Sequence, residues 1–236
     1  MGLPREEHNQ LVHAIAECGS AAAKQCAAWA EEAGAGKTPD VGAGDAGEYE
    51  PGDVPAGVIP ALRRYVGSLG YTVAGLNQNT LDQVEGAGVH PLGYTIGAVP
   101  PESGVDHPPM QVCVKDGMSS AATVRVLAHE VGHVLLGHAS GDPLLTLLRS
   151  MRRAARFQEF GDAEDPCEEI PVQLAAGAVC HLAEIGTGEF STKYMACRMA
   201  HPLFLDEDGN NTERACNEAL RVAEQVWPVV RDALKS

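Results

Sequence analysis

Long uninterrupted apolar runs are missing from this chain of 236 residues, and none approaches the length that spans a membrane. The first residues, MGLPREEHNQLVHAIAECG, are polar and charged and lack the apolar region of a signal peptide. A hydrophobic content of 44 % is nevertheless enough for the core of a medium-sized domain. We therefore predict a cytoplasmic protein that has no membrane segment.

Basic residues are scarce: 17 Lys and Arg stand against 32 Asp and Glu, and the formal net charge is -15. Proteins bind nucleic-acid phosphates through Lys and Arg, so this charge balance argues against a nucleic-acid partner. An acidic surface also suits a protein that mimics DNA. We keep a DNA-mimicking inhibitor as a minority hypothesis.

Paired cysteine motifs are also lacking, because none of the seven cysteines forms a Cys-x-x-Cys spacing. Their number is odd, and most of them lie among apolar residues, as small core side chains do. This usage argues against a disulfide scaffold and favours a reducing compartment.

The order of sequence patterns predicts an α+β fold with a small antiparallel sheet and a mostly helical C-terminal half. Residues 1–57 form a predicted N-terminal helical arm followed by a linker rich in Gly, Pro and acidic residues. Residues 58–236 form the main domain, which begins with a helix and three short β-like runs at 71, 92 and 110. Ser119 or Ser120 is expected to cap the next helix, over about 120–138, and Pro228 to bend or break the last one.

The predicted helix over 120–138 contains His129-Glu130-Val131-Gly132-His133, an H-E-x-x-H motif. Residues four apart share a helix face, so His129 and His133 can point at one metal ion. Glu130 lies about 100° away around the helix axis, where it can act as general base on water bound to the metal. The alternative is that both histidines are hydrogen-bonded core residues without a metal.

The third ligand of such a site is less clear from the residues. His138 is five residues past His133, about 140° around a continuing helix, so we interpret it as a helix-end residue or as a partner of a ligand. A carboxylate on a later helix, over about 168–185, is the better choice. Glu168 and Glu169 both stand at the start of that segment, DPCEEIPVQLAAGAVCHL.

The segment LAHEVGHVLLGH, preceded by a strand and VKDGMSS, resembles the ImmA/IrrE family of zinc metallopeptidases and the peptidase half of ArdC-type antirestriction proteins. That family shows a later helix of the form E-x-x-A-x-x-[FV]-A, whose glutamate completes the zinc site. Glu168-x-x-Pro171-x-x-Leu174-Ala175 matches it in register, so the resemblance implies Glu168 as third ligand and Glu169 as the alternative. Pro171 replaces the family's alanine and should lie in the first turn of the helix.

The resemblance implies a zincin-like fold and a zinc-dependent endopeptidase of bacterial or phage type that cleaves a regulatory protein, often a transcriptional regulator. The stretch IGTGEFSTKYM resembles a further motif of ArdC-like peptidases and marks Tyr194 as an oxyanion donor, with His181 and His201 as other choices. The single-stranded-DNA binding of ArdC-type proteins is not expected, because residues 1–60 lack the necessary basic and aromatic composition.

Two features remain open at the level of sequence. The arginines of residues 149–156 could grip an acidic substrate or could be a solvated helix face. The N-terminal arm could bind a partner, inhibit the enzyme or mediate dimerisation. The competing functional hypothesis is a zinc-containing interaction or antirestriction protein with little turnover, which binds its partner through the acidic surface.

Overall fold

The computed structural model of the chain describes residues 2–34, 54–76, 92–96, 110–139, 165–186, 192, 195–196, 198–200, 204 and 210–236. Its main elements are α1 (Arg5–Gly34), α2 (Val58–Ser68), β1 (Thr72–Leu76), β2 (Gly93–Ile96), β3 (Gln111–Lys115), α3 (Ser120–Leu135), α4 (Pro166–Leu182) and α5 (Asn210–Leu234). The described residues are mostly helical and contain one small sheet, which is compatible with the predicted α+β class. No helix in these ranges is both long and apolar enough to cross a membrane.

The sheet has the strand order β1-β3-β2. β2 pairs with β3 in antiparallel orientation, with Thr95 opposite Val112, whereas β1 pairs with β3 in parallel. The prediction of an antiparallel sheet is therefore wrong for β1. Two parallel neighbouring strands need a long connecting segment between them. The segment between β1 and β3 is long enough, because it contains the whole of β2.

Helix α3 covers the sheet with an apolar face. Ser119 caps its N-terminus, as one of the two predicted caps, because the Ser119 Oγ accepts a hydrogen bond from the Ala122 N–H at 3.2 Å. Buried side chains from Val124 to Val131 anchor the helix in the core. The anchored helix fixes the direction in which its polar residues point.

Helix α4 is the central helix, and its residues from Ile170 to Cys180 are all buried. Asp165 caps it by accepting a hydrogen bond from the Cys167 N–H at 3.0 Å, and Pro166 occupies the first turn. The helix therefore begins slightly before the predicted start, and Pro171 lies beyond the first turn. α4 packs against α1, α3 and α5.

Helix α1, part of the expected arm, packs into the same core as α4 and α5. Its buried residues recur at helical spacing and include Leu11, Ala14, Ile15 and Ala22. Two polar contacts add to this packing: Arg231 forms an ion pair with Glu7 at 2.6 Å, and the His8 Nδ1 lies 2.7 Å from the Glu224 Oε1. The first helix is thus an integral part of the folded body.

Helix α5 runs from Asn210 to Leu234 as one element, although Pro228 lies inside it. Of the predicted bend or break at Pro228, the break does not occur. Apolar residues such as Val222, Val226 and Val230 recur every four positions and are buried, and α5 packs against α4, α2 and α1. This tertiary packing sustains the helix through the proline.

Candidate metal centre

Two imidazoles of α3 stand side by side, one helical turn apart. The Nε2 atoms of His129 and His133 are 3.1 Å apart, and the two rings are nearly perpendicular. The predicted helix therefore does place both ring nitrogens toward a common point. Both side chains are largely buried, with 15 % and 13 % of their surface exposed.

Glu169 at the start of α4 completes the cluster. Its Oε2 lies 3.3 Å from the His129 Nε2, and its Oε1 lies 3.4 Å from the His133 Nε2. One ligand atom from each of the three residues lies within 4.8 Å of the others, and no second such group occurs among the described residues. These three side chains could hold a metal ion.

The distances within this triangle fit a tetrahedral ion. Metal–ligand bonds of about 2.0–2.2 Å place the ligand atoms of a tetrahedron about 3.3–3.6 Å apart. The observed separations of 3.1, 3.3 and 3.4 Å are close to that value. Three protein ligands of this kind leave a fourth position for water or substrate.

The structure brings Glu169, not Glu168, to the two histidines. Glu169 and Gln173 are four residues apart on α4, and both contact His129. Glu168 is one position earlier, about 100° around the helix, and it is not part of the cluster. The alternative ligand named from the sequence is therefore the one with the right geometry, while Glu168 contributes negative charge near His133.

Each histidine is also held by its other ring nitrogen. The Nδ1 of His129 lies 2.9 Å from the Gln173 Oε1, so the ring donates its Nδ1–H to the amide oxygen. The Nδ1 of His133 lies 2.9 Å from the Nδ1 of His138, and one of these rings donates to the other. Such contacts fix ring orientation and direct the Nε2 lone pair toward a metal.

His138 reaches His133 because α3 ends between them. Gly137 adopts a left-handed φ of 72°, and the His138 N–H donates to the His133 carbonyl at 2.8 Å. This is the hydrogen bond that closes a helix with glycine after its last turn. His138 therefore lies at the helix end, as one of the two sequence interpretations has it, and it contacts His133 of the H-E-x-x-H motif.

The charges in the cluster are coupled. Burial alone would lower the pKa of His133, but the Glu169 carboxylate beside it prevails and raises that pKa to about 9. Burial would likewise raise the pKa of Glu169, but the two histidines hold it well below its usual range. Without a metal, a proton on His133 therefore neutralises the carboxylate.

The Glu130 carboxylate lies against β2 of the sheet, and the residue is only 5 % exposed. The Thr95 hydroxyl on β2 donates a hydrogen bond to the Glu130 Oε2 at 2.7 Å. Sequence reasoning missed Thr95 and Gln173. Gln173 could have been found from its position four residues after Glu169, whereas nothing in the sequence links Thr95 to Glu130.

Several predicted residues fall elsewhere. Tyr194, His201 and the arginines of residues 149–156 lie outside the described residues. His181 is twelve residues beyond Glu169 on α4, about 18 Å along the helix, and its Nε2 contacts the Glu17 Oε2 of α1 at 3.3 Å. The structure therefore does not bring His181 to the group of His129, His133 and Glu169.

In comparisons with protein-family models, curated proteins and solved structures, none matches this chain with significance.

Proposed function

We propose that this chain is a zinc-dependent peptidase with a zincin-like fold, of the ImmA/IrrE type that its motifs resemble. The observation that supports this proposal is that ligand atoms of His129, His133 and Glu169 lie close together. Glu130 follows His129 in the sequence and supplies a buried carboxylate next to this group of residues. Two imidazoles, one carboxylate and an adjacent base form the donor set of hydrolytic zinc sites.

Zinc suits this site better than a hard cation does. Imidazole nitrogen is a borderline ligand that favours zinc and other late transition metals over magnesium or calcium. The separations between ligand atoms also match tetrahedral coordination. When bound, zinc supplies Lewis acidity, which polarises a carbonyl and acidifies water.

Side chains of the protein supply the proton transfer and the orientation of the ligands. The Glu130 carboxylate takes a proton from the attacking water and returns it to the nitrogen of the leaving amine, so the proton balance closes within one turnover. Gln173 and His138 hold the two imidazoles in their working orientation. Burial of Glu130 excludes bulk water and strengthens its interaction with charges that develop on the substrate.

A peptide is the substrate class that the neighbouring strand favours. β2 carries Thr95, which contacts Glu130, and among the described residues β2 pairs with β3 on one side only. An extended peptide can add to the side of a strand through main-chain hydrogen bonds, which would bring its carbonyls close to Glu130. The family resemblance adds a regulatory protein as the natural substrate.

The proposal is tested with a pool of internally quenched fluorescent peptides and the zinc-loaded full-length chain. Wild type should cleave members of the pool, and Glu130→Gln should lose about a hundredfold or more of the rate while retaining zinc. Glu213→Gln, a change to an exposed carboxylate of α5, is the matched control. Equal cleavage by wild type and Glu130→Gln, or no cleavage by the zinc-loaded wild type, would overturn the proposal and favour the interaction protein.

A further inference from the structure

Glu130 is a buried carboxylate, and burial of such a group is costly unless its oxygens are hydrogen-bonded. Thr95 provides a hydrogen bond from the opposite element. Its Oγ1 lies 2.7 Å from the Glu130 Oε2, a short distance typical of a hydroxyl that donates to a charged oxygen. The contact joins β2 to α3, the helix that also carries the two histidines.

Gly93 shapes the other side of the same carboxylate. Residues two apart in a strand face the same way, so Gly93 and Thr95 both face α3. A Cβ atom on Gly93 would lie 3.0 Å from the Glu130 Oε1 and 2.6 Å from the Val126 Cγ1. Any side chain at position 93 would therefore displace either Glu130 or α3.

We propose that Thr95 is a positioning residue for the general base Glu130. Gly93, which has no side chain, leaves the space that the Glu130 carboxylate occupies. This inference rests on the proposed function. The Thr95 hydroxyl engages Oε2 and fixes the plane of the carboxylate. Oε1 is then the oxygen that accepts the proton of the attacking water.

The expected benefit is pre-organisation of the base. A carboxylate free to rotate samples several orientations, and a misplaced base loses much of its catalytic effect. A neighbouring hydroxyl holds one orientation without adding a charge. Removing that hydroxyl should therefore lower kcat and leave KM unchanged, because Thr95 acts through Glu130 and not on the substrate.

The experiment compares Thr95→Val, which removes the hydroxyl, with Thr95→Ser, which restores it. Thr72→Val on β1 is the matched control, because Thr72 is exposed and lies on the other outer strand of the described sheet. One readout is the affinity of the zinc-loaded full-length chain for acetohydroxamate, measured by calorimetry. This probe chelates zinc through two oxygens and brings an acidic proton to the neighbouring carboxylate. The other readout is kcat and KM on a peptide cleaved by the wild type.

We expect Thr95→Val to weaken acetohydroxamate binding and to lower kcat, each by about tenfold, while KM stays constant. Thr95→Ser and Thr72→Val should behave like wild type. If Thr95→Val does not unfold cooperatively, Thr95→Ala is used in the same comparison.

Three results separate the possible failures. Wild-type affinity and kcat in Thr95→Val would overturn the positioning role, and so would a higher KM at constant kcat. A wild type that cleaves no peptide would remove the peptidase proposal alone. In that case the positioning role stands if Thr95→Val and Glu130→Gln weaken acetohydroxamate binding alike, and it falls if only Glu130→Gln does.

Discussion

Gly132 of α3 lies directly against Val172 of α4, where the two helices pack together. A Cβ atom on Gly132 would lie 2.8 Å from the Val172 Cγ1 and 3.4 Å from its Cα. Only glycine allows this approach, since both side chain and backbone of Val172 stand in the way. Glu169 and Gln173 flank Val172 on α4, so the contact sets the distance between the two histidines of α3 and Glu169 of α4.

Replacing this glycine should loosen the metal site. We expect Gly132→Ala to push α4 away, to lower the free energy of unfolding by about 1–3 kcal/mol through overpacking, and to weaken zinc binding because Glu169 moves with α4. Urea unfolding of the metal-free chain and zinc titration measure the two effects. Gly67→Ala is the control, because an added Cβ there meets nothing within 4 Å. Unchanged zinc affinity in Gly132→Ala would show that the helix contact does not control the site.

Gln173 should contribute to metal affinity although it is not a ligand. Its Oε1 accepts the Nδ1–H of His129 at 2.9 Å. We expect Gln173→Leu to weaken zinc binding by about 10–100-fold, because the ring loses its orientation, and Gln173→Glu to retain it. Competition with a coloured zinc chelator measures the affinity. The exposed Gln225 on α5, changed to Leu, should have no effect, and equal affinities in Gln173→Leu and wild type would exclude the orienting role.

The stability of the metal-free protein should depend on pH through His133 and Glu169. The pKa of His133 is raised from 6.5 to about 9, so its protonated form stabilises the fold fully below pH 6.5 and less as pH rises to about 9. The pKa of Glu169 lies well below 4.5, so its contribution is complete above that pH and is lost on acidification. The pair is therefore most stabilising between pH 4.5 and 6.5.

Thermal unfolding in EDTA across pH 5–10 tests this dependence. The difference in Tm between wild type and Glu169→Gln should shrink between pH 6.5 and 9, because the variant lacks the carboxylate that raises the pKa of His133. With saturating zinc the trend should reverse, since zinc and protons compete for the same nitrogens and zinc binding gains with rising pH. A constant difference across this range would contradict the coupling of the two residues.

The N-terminal helix should be required for folding. Leu11 of α1 is fully buried in the common core. We expect Leu11→Ala to lower the free energy of unfolding by about 2–5 kcal/mol, whereas Val12→Ala should have little effect because Val12 is 45 % exposed. Urea unfolding of the two variants measures the difference. If Leu11→Ala unfolds like wild type, α1 is an arm that the main body does not need.

Local features of the site could be read from the sequence. The spacing of His129 and His133 and the serine before α3 depend on contacts within a few residues, and both appear in the structure as expected. The choice between Glu168 and Glu169 could not be made in the same way. It depends on the rotation of α4 about its own axis, which is set by the packing at Gly132 and by a helix start at Pro166.

Contacts between segments far apart in the chain could not be predicted from the sequence. Strand patterns identify β1 and β3, but their parallel pairing depends on how the chain between them is routed. The packing of α1 against α4 and α5 requires matching apolar faces on three helices, and its composition alone suggested an arm. The hydrogen bond from Thr95 to Glu130 likewise joins residues that only the folded chain brings together.

The most direct test of the central claim is the metal content of the purified chain, measured by elemental analysis for wild type, His133→Ala, Glu169→Gln and Glu168→Gln. If His129, His133 and Glu169 hold zinc, wild type and Glu168→Gln should carry about one zinc per chain, and the other two variants should lose it. Glu168→Gln is the matched control, because it removes a neighbouring carboxylate from the same turn of α4. A wild type that binds no metal after zinc is supplied would contradict the claim, and loss of zinc in Glu168→Gln alone would contradict the ligand set.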